Sequence, residues 1–153
     1  MEIVQGLMKM STKGRYGVRL MLDLALHNGG EPVLLKDIAR RQGISEKYLW
    51  NLINPLKTVG LVQSIRGARG GYKLAKKPTE ISLKDIIRVL EGPLCLVDCV
   101  ENPSTCERSS TCIMRDVWCE ASQNFMKTLE NMTLEQMLER HRGRIEANAE
   151  YSI

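Results

Sequence analysis

Apolar residues recur at helical spacing over most of the chain and alternate in one short stretch. From Thr12 to His27, the positions Tyr16, Leu20, Leu24 and His27, with Val18, Met21, Leu22 and Ala25 between them, fall on one face and predict a first helix. Asn28-Gly29-Gly30 ends it, because glycine accepts the left-handed backbone of a helix terminus. A second helix is predicted over Leu35–Gln42, stopped by Gly43. Ser45 is placed to cap a third over Glu46 to about Thr58. Leu49, Leu52, Ile53 and Leu56 line the inner face of that third helix, which leaves Glu46, Lys47, Trp50, Asn51 and Asn54 outward. Gly60–Arg66 then alternates as a strand does, Gly67-Ala68-Arg69-Gly70-Gly71 must turn, and Tyr72-Lys73-Leu74 returns antiparallel.

A short helix, a glycine-containing turn and a second helix with polar outward positions form the helix-turn-helix arrangement. The arginine-bearing hairpin directly after it makes this a winged helix, whose third helix offers its first turn to base edges in a major groove. Arg66 and Arg69 at the compact tip suit a minor groove, where the negative potential is strongest. The same glycines do not form a phosphate loop, since the Gly-Lys-Ser/Thr ending and the strand-to-helix setting are both missing. Lys13, Arg15 and Arg19 load the start and one face of the first helix with positive charge, which serves either as a solvated face or as phosphate contact.

Beyond the hairpin, Ser82 and Asp85 have the spacing that opens a helix through Ile86, Ile87, Val89 and Leu90, and Glu91-Gly92-Pro93 stops it. Met114, Trp118, Ala121, Phe125 and Leu129 predict a long helix from about Ile113 to Glu130, more apolar than one domain face needs. Such a helix after a winged helix is expected to pair with its twin across a two-fold axis. Thr133 and Gln136 cap a short helix over Leu134, Met137 and Leu138, after which the chain reads as a polar tail.

Charge sharpens this division. The chain has 153 residues and a formal net charge of +4, yet residues 1–91 carry 16 Lys and Arg against 8 Asp and Glu, and residues 92–153 carry 6 against 10. The first part suits a polyanion and the second does not. No apolar run approaches the roughly 18 residues of a membrane span. Met1–Met10 shows none of the apolar core of an export signal, so a reducing cytoplasm is expected.

All five cysteines lie between Cys95 and Cys119. Cys99, Cys106 and Cys112 fall in a segment whose Asn102, Pro103, Ser104, Ser109 and Ser110 read as loop, and such a loop can wrap three thiolates around one centre. Soft thiolates suit an iron–sulfur cluster, zinc or copper(I). The paired C-x2-C spacings of structural zinc sites are missing, and a fourth ligand must come from Cys95, Cys119, a non-cysteine side chain or a second subunit. Cys95 and Cys119 read as buried small apolar residues. With no histidine and only Asp98, Glu101 and Glu107 nearby, the loop lacks acid–base machinery, so the chain is not expected to be an enzyme.

Ser11–Tyr16, Ile44–Leu49, Pro55–Leu61, the wing Ser64–Tyr72 and the three loop cysteines together resemble the IscR, NsrR and CymR group of bacterial regulators, over about residues 8–140. The resemblance implies a homodimeric winged-helix repressor or activator of iron–sulfur biogenesis genes, bound to a double-stranded DNA operator. It implies a cluster on Cys99, Cys106 and Cys112, with 2Fe-2S favoured and 4Fe-4S second. Lys47 and Trp50 would then face bases, Arg66 would sit at the wing, and Lys13 and Tyr48 would lie near the DNA backbone. Ser45, Asn51 and Arg69 complete the expected contact set.

This chain departs from the group at three places. The histidine that IscR-like proteins place three residues after the third cysteine is Arg115 here. The aspartate that NsrR-like proteins supply from the partner's first helix corresponds to Arg15. Trp50 stands where IscR relatives carry an acid, and CymR-like members lack the cysteine triad. The resulting division is a winged-helix DNA-binding domain over 8–91, a cysteine-bearing cluster loop over 92–112, a dimerisation helix with a short C-terminal helix over 113–140, and a flexible tail over 141–153. The competing readings are a cluster-free thiol-redox or nitric-oxide-responsive regulator and, from another class, a small iron–sulfur or zinc protein that binds no DNA.

Overall fold

The computed structural model describes residues 10–150. The N-terminal stretch read for an export signal lies, up to Lys9, outside them, as do the last three residues of the expected tail. The order is α1 (Thr12–Leu26), α2 (Leu35–Gln42), α3 (Glu46–Thr58), β1 (Val62–Ile65), β2 (Gly71–Leu74), α4 (Leu83–Glu91), α5 (Asp98–Glu101), α6 (Ile113–Glu130) and α7 (Leu134–Glu150). Single 3-10 turns lie at Pro78–Glu80 and Pro103–Thr105. The fold is mainly helical with one two-stranded hairpin, as expected.

Local chemistry accounts for most boundaries. The Ser45 hydroxyl accepts from Tyr48 N–H at 3.2 Å. Ser82 with Asp85 and Thr133 with Gln136 each form a reciprocal capping box, every bond at 3.0–3.2 Å. Gly43, at φ 63°, takes the left-handed conformation that closes α2. The hairpin pairs Val62 with Leu74 and Ile65 with Gly71. A third partner comes from the loop before α2: Val33 and Tyr72 exchange backbone hydrogen bonds of 2.9 and 2.8 Å. A Cβ at Gly71 would stand 2.6 Å from the Val33 carbonyl oxygen, so only glycine allows this approach.

The core collects Leu20, Met21 and Leu24 of α1, Ile38 of α2, Leu49, Leu52, Ile53 and Leu56 of α3, and Ile86 of α4, each almost fully buried. Leu134 and Leu138 of α7 join it, because the turn after α6 folds back on the start of α4 through Leu83 N–H to Met132 O and Leu134 N–H to Ile81 O. The distal chain differs from expectation in two places. The cysteine segment is not all loop, since α5 and the turn at Pro103–Thr105 fall inside it. The expected tail after residue 140 is helical to Glu150, with residues 142–150 exposed. Polarity all round this stretch removed the periodic signal without removing the helix.

Candidate nucleic-acid interface and cysteine segment

The inward leucines and isoleucine of α3 are wholly buried, which turns Glu46, Lys47, Trp50 and Asn51 to the surface, Trp50 at 55% exposure. Asn54, expected outward, is half-buried. Ser45 is exposed and its hydroxyl serves the cap. Tyr48 is half-buried. Its hydroxyl donates to Thr12 Oγ1 at 3.3 Å, and its ring stands edge-on to Tyr16 with centroids 6.0 Å apart. Lys13 is exposed on the first turn of α1, next in sequence to the Thr12 of this contact.

At the wing, Gly67 has φ 112°, and a Cβ at Gly70 would lie 2.4 Å from the Ile65 carbonyl oxygen. The tip is therefore tight, and it holds Arg66 and Arg69 out in solvent. Arg69 lies 3.9 Å from Glu31, but both side chains are more than two-thirds exposed, and such a pair holds little. Lys47, Trp50, Asn51, Arg66 and Arg69 are all solvent-facing, on α3 and the hairpin.

The basic face of α1 is divided by its contacts. Arg15 and Arg19 lie 5.9 and 5.4 Å from the Tyr16 ring centre. Arg19 also donates to the side chain and the carbonyl of Gln42, which commits it to bracing α1 on α2. Asp23, unremarked in the sequence, is 2% exposed beneath this brace. Its carboxylate accepts from Arg41 Nε at 3.1 Å, from an Arg41 terminal nitrogen at 2.5 Å and from Gln42 Nε2 at 2.8 Å. Burial would push this carboxyl up, but the Arg41 and Gln42 hydrogen bonds and the Arg41 charge outweigh it and hold the carboxyl below its ordinary value. His27 turns Nδ1 to the Asp23 carbonyl oxygen at 2.8 Å.

The cysteine segment leaves α4 at Gly92 and is pinned where Leu96 N–H donates to Ser122 Oγ of α6 at 3.1 Å, Ser122 being 1% exposed. Asn102 nucleates the turn that follows α5 by accepting from Ser104 N–H and Oγ–H. Arg115 Nε donates to the Cys99 carbonyl at 2.9 Å and ties the start of α6 to α5. Cys106 is exposed, and Cys99 and Cys112 are half-exposed. Cys95 and Cys119 are also half-exposed, contrary to the expectation of burial, because α6 leaves the core and only its Ser122 side is covered. The Cys95 thiol lies 3.9 Å from Glu101 Oε2; burial pushes it up, and the charges of Glu101 and Asp98 add to that.

As donors, three accessible thiols free of disulfides suit an iron–sulfur centre. Among the described residues, however, no three His, Cys, Asp or Glu are drawn together at metal-binding positions. Holding such a centre would require residues 100–112 to rearrange, between the Cys99 end fastened to Arg115 and the start of α6. Arg115 and Arg15 are cations and cannot serve as ligands. No helix among the described residues is long and apolar enough to cross a membrane.

Residues 10–140 match the model of Rrf2, described as an iron-dependent transcriptional regulator. The chain belongs to the Rrf2 family. Protein rrf2 of Nitratidesulfovibrio vulgaris is 42% identical over 131 residues, 86% of this chain and 87% of that protein. The structure of CymR, the global cysteine regulator of B. subtilis, superposes with a TM-score of 0.74 at 42% identity, covering 88% of this chain and 98% of that one. The structure of T. potens IscR gives 0.72 at 45% identity, covering 87% and 88%. This Rrf2 chain is therefore a transcriptional regulator with a DNA-binding winged helix, and its CymR and IscR relatives are named as transcriptional regulators, not enzymes.

Proposed function

We propose that the chain acts as a homodimer on a double-stranded DNA operator and that an iron–sulfur cluster on Cys99, Cys106 and Cys112, 2Fe-2S in preference to 4Fe-4S, sets its affinity. The observation that carries this reading is the placement of three accessible thiols on one excursion between α4, which packs on α1, and the exposed helix α6. The description of the family as iron-dependent supports it. When bound, the cluster would supply a covalent tie among the three cysteines. The rest is done by the protein: Lys47, Trp50 and Asn51 read bases, Ser45, Tyr48 and Lys13 meet the backbone, and Arg66 and Arg69 enter the minor groove.

Dimerisation rests on α6. Ile113, Met114, Val117, Trp118 and Phe125 leave 37–79% of their surface exposed, an apolar stripe that no element among the described residues fully covers. A two-fold pairing through this stripe sets the separation of the two recognition helices, which must span about 34 Å to enter successive major grooves. A change in the cysteine segment shifts that geometry and so the population competent to bind.

The thiols not being drawn together favours a second reading, a cluster-free regulator in which the cysteines respond by thiol chemistry, as does the likeness to a cysteine regulator. Anaerobic purification with absorption, iron and sulfide analysis separates the two. Under the cluster reading wild type is coloured, and Cys106→Ala loses the visible absorption while remaining dimeric. Colourless, iron-free anaerobic protein that still binds its operator would establish the thiol reading instead.

A further inference from the structure

The last turn of α4 is seated directly on the first turn of α1, and the contact is polar at its centre. Glu91 Oε1 accepts from Ser11 N–H and Gly14 N–H, each at 3.0 Å, and from the Ser11 hydroxyl. Ser11 is itself the N-cap of α1, but its oxygen lies 3.4 Å from Gly14 N–H, so the carboxylate from 77 residues away is the nearer acceptor. An anion at this end of a helix is also favoured by the helix dipole. Two glycines make room for it. A Cβ at Gly14 would lie 2.5 Å from Glu91 Oε1, and a Cβ at Gly17 would lie 1.9 Å from Leu90 Cδ1.

The same turn of α1 also holds the recognition helix. Thr12 accepts from the Tyr48 hydroxyl, and Tyr16 stands edge-on to the Tyr48 ring. Tyr48 lies in the first turn of α3, between Lys47 and the exposed Trp50 and Asn51.

We propose that Glu91 is a positioning residue for DNA reading: it fixes the first turn of α1, and through Thr12 and Tyr48 that turn fixes the tilt of the base-facing end of α3. The inference rests on the DNA-binding mode assigned under Proposed function. It predicts an effect opposite in sign to simple charge. A carboxylate repels phosphate, so removing it strengthens duplex binding on electrostatic grounds alone, whereas loss of a positioning group weakens binding to the operator and leaves the sequence-independent part intact. Gly92 follows directly, so the cysteine segment starts one peptide bond from this clamp.

The test uses the full-length protein, the duplex it selects from a random pool, and a scrambled duplex of the same length, at one salt concentration and well below the unfolding midpoint. Glu91→Ala is expected to lose about tenfold in operator affinity with scrambled-duplex affinity unchanged or raised, while Glu91→Gln, which keeps an acceptor oxygen, stays within about threefold of wild type. Combining Glu91→Ala with Tyr48→Phe is expected to lower the operator-to-scrambled ratio no further than the more damaging single change, as for residues on one path. If Glu91→Ala does not fold, Thr12→Val carries the measurement, since it removes the acceptor for Tyr48 and must lower the same ratio. A folded Glu91→Ala with the wild-type ratio, or strict additivity with Tyr48→Phe, overturns the proposal. A wild-type protein that prefers no duplex at all overturns the DNA-reading mode beneath it.

Discussion

Asp23 interrupts the apolar run Leu20-Met21-Leu22-Asp23-Leu24, and the structure explains why an acid is held there: Arg41 and Gln42 cap α2 onto it from 18 and 19 residues away. A buried carboxylate is costly unless its lone pairs are met, and here three donors meet them. Because its folded-state value lies below the unfolded one, the group stabilises the fold at pH values above the unfolded carboxylate range. That contribution fades as pH falls through the lower, folded value. Asp23→Asn keeps the shape but leaves Arg41 without its anion. Denaturant unfolding at pH 7 is expected to show a loss of about 2 kcal/mol, less than for a fully buried pair because Arg41 is one-third exposed. The variant's stability should also fall less steeply than wild type's as pH drops below the ordinary carboxylate value.

At the scale of elements, what a few neighbouring residues decide was legible in the sequence. The Ser45 cap, the Ser82–Asp85 and Thr133–Gln136 boxes and the stop at Gly43 are short-range chemistry, and each lies where the sequence put it. The bounds of α2, α3 and α6 follow from the same signals together with apolar period. Contacts between distant residues were not legible. Nothing near Val33 announces that it pairs with Tyr72, and nothing near Gly14 and Gly17 announces Leu90 and Glu91. Nor did loop-forming residues such as Asn102 and Pro103 forbid single turns in the cysteine segment. For the wing, Arg66 stands on a tip whose glycines admit no side chain at Gly70, so the hairpin presents it without needing it to fold. Arg66→Ala is expected to leave stability within about 0.5 kcal/mol. In a salt titration of duplex binding it should lower affinity and reduce the logarithmic slope by about 1.

Across the whole molecule, a cationic winged helix runs at Gly92 into an acidic, cysteine-bearing half that contains α6, about 27 Å long and fastened to its own chain by the Leu96–Ser122 and Arg115–Cys99 bonds and the Lys84–Glu130 ion pair. The dimer proposed above places Phe125, 41% exposed, in a shared interface. Phe125→Glu is expected to sediment as a monomer of 17.3 kDa with its helical content retained, and a variant that stays dimeric would assign the contact to another face. The Leu96–Ser122 bond has a separate bearing on how such a molecule can diverge. Together with the Arg115–Cys99 bond it fastens the entry of the cysteine segment to α6, the helix into which the far end of that segment runs, so residues 100–112 form a tethered bight rather than a connector under tension. Lengthening a flexible bight is inexpensive, about 0.6 kcal/mol for a doubling. Residues can be inserted or deleted within that bight, and the intervals between sulfurs re-set, while the duplex-gripping half keeps its architecture.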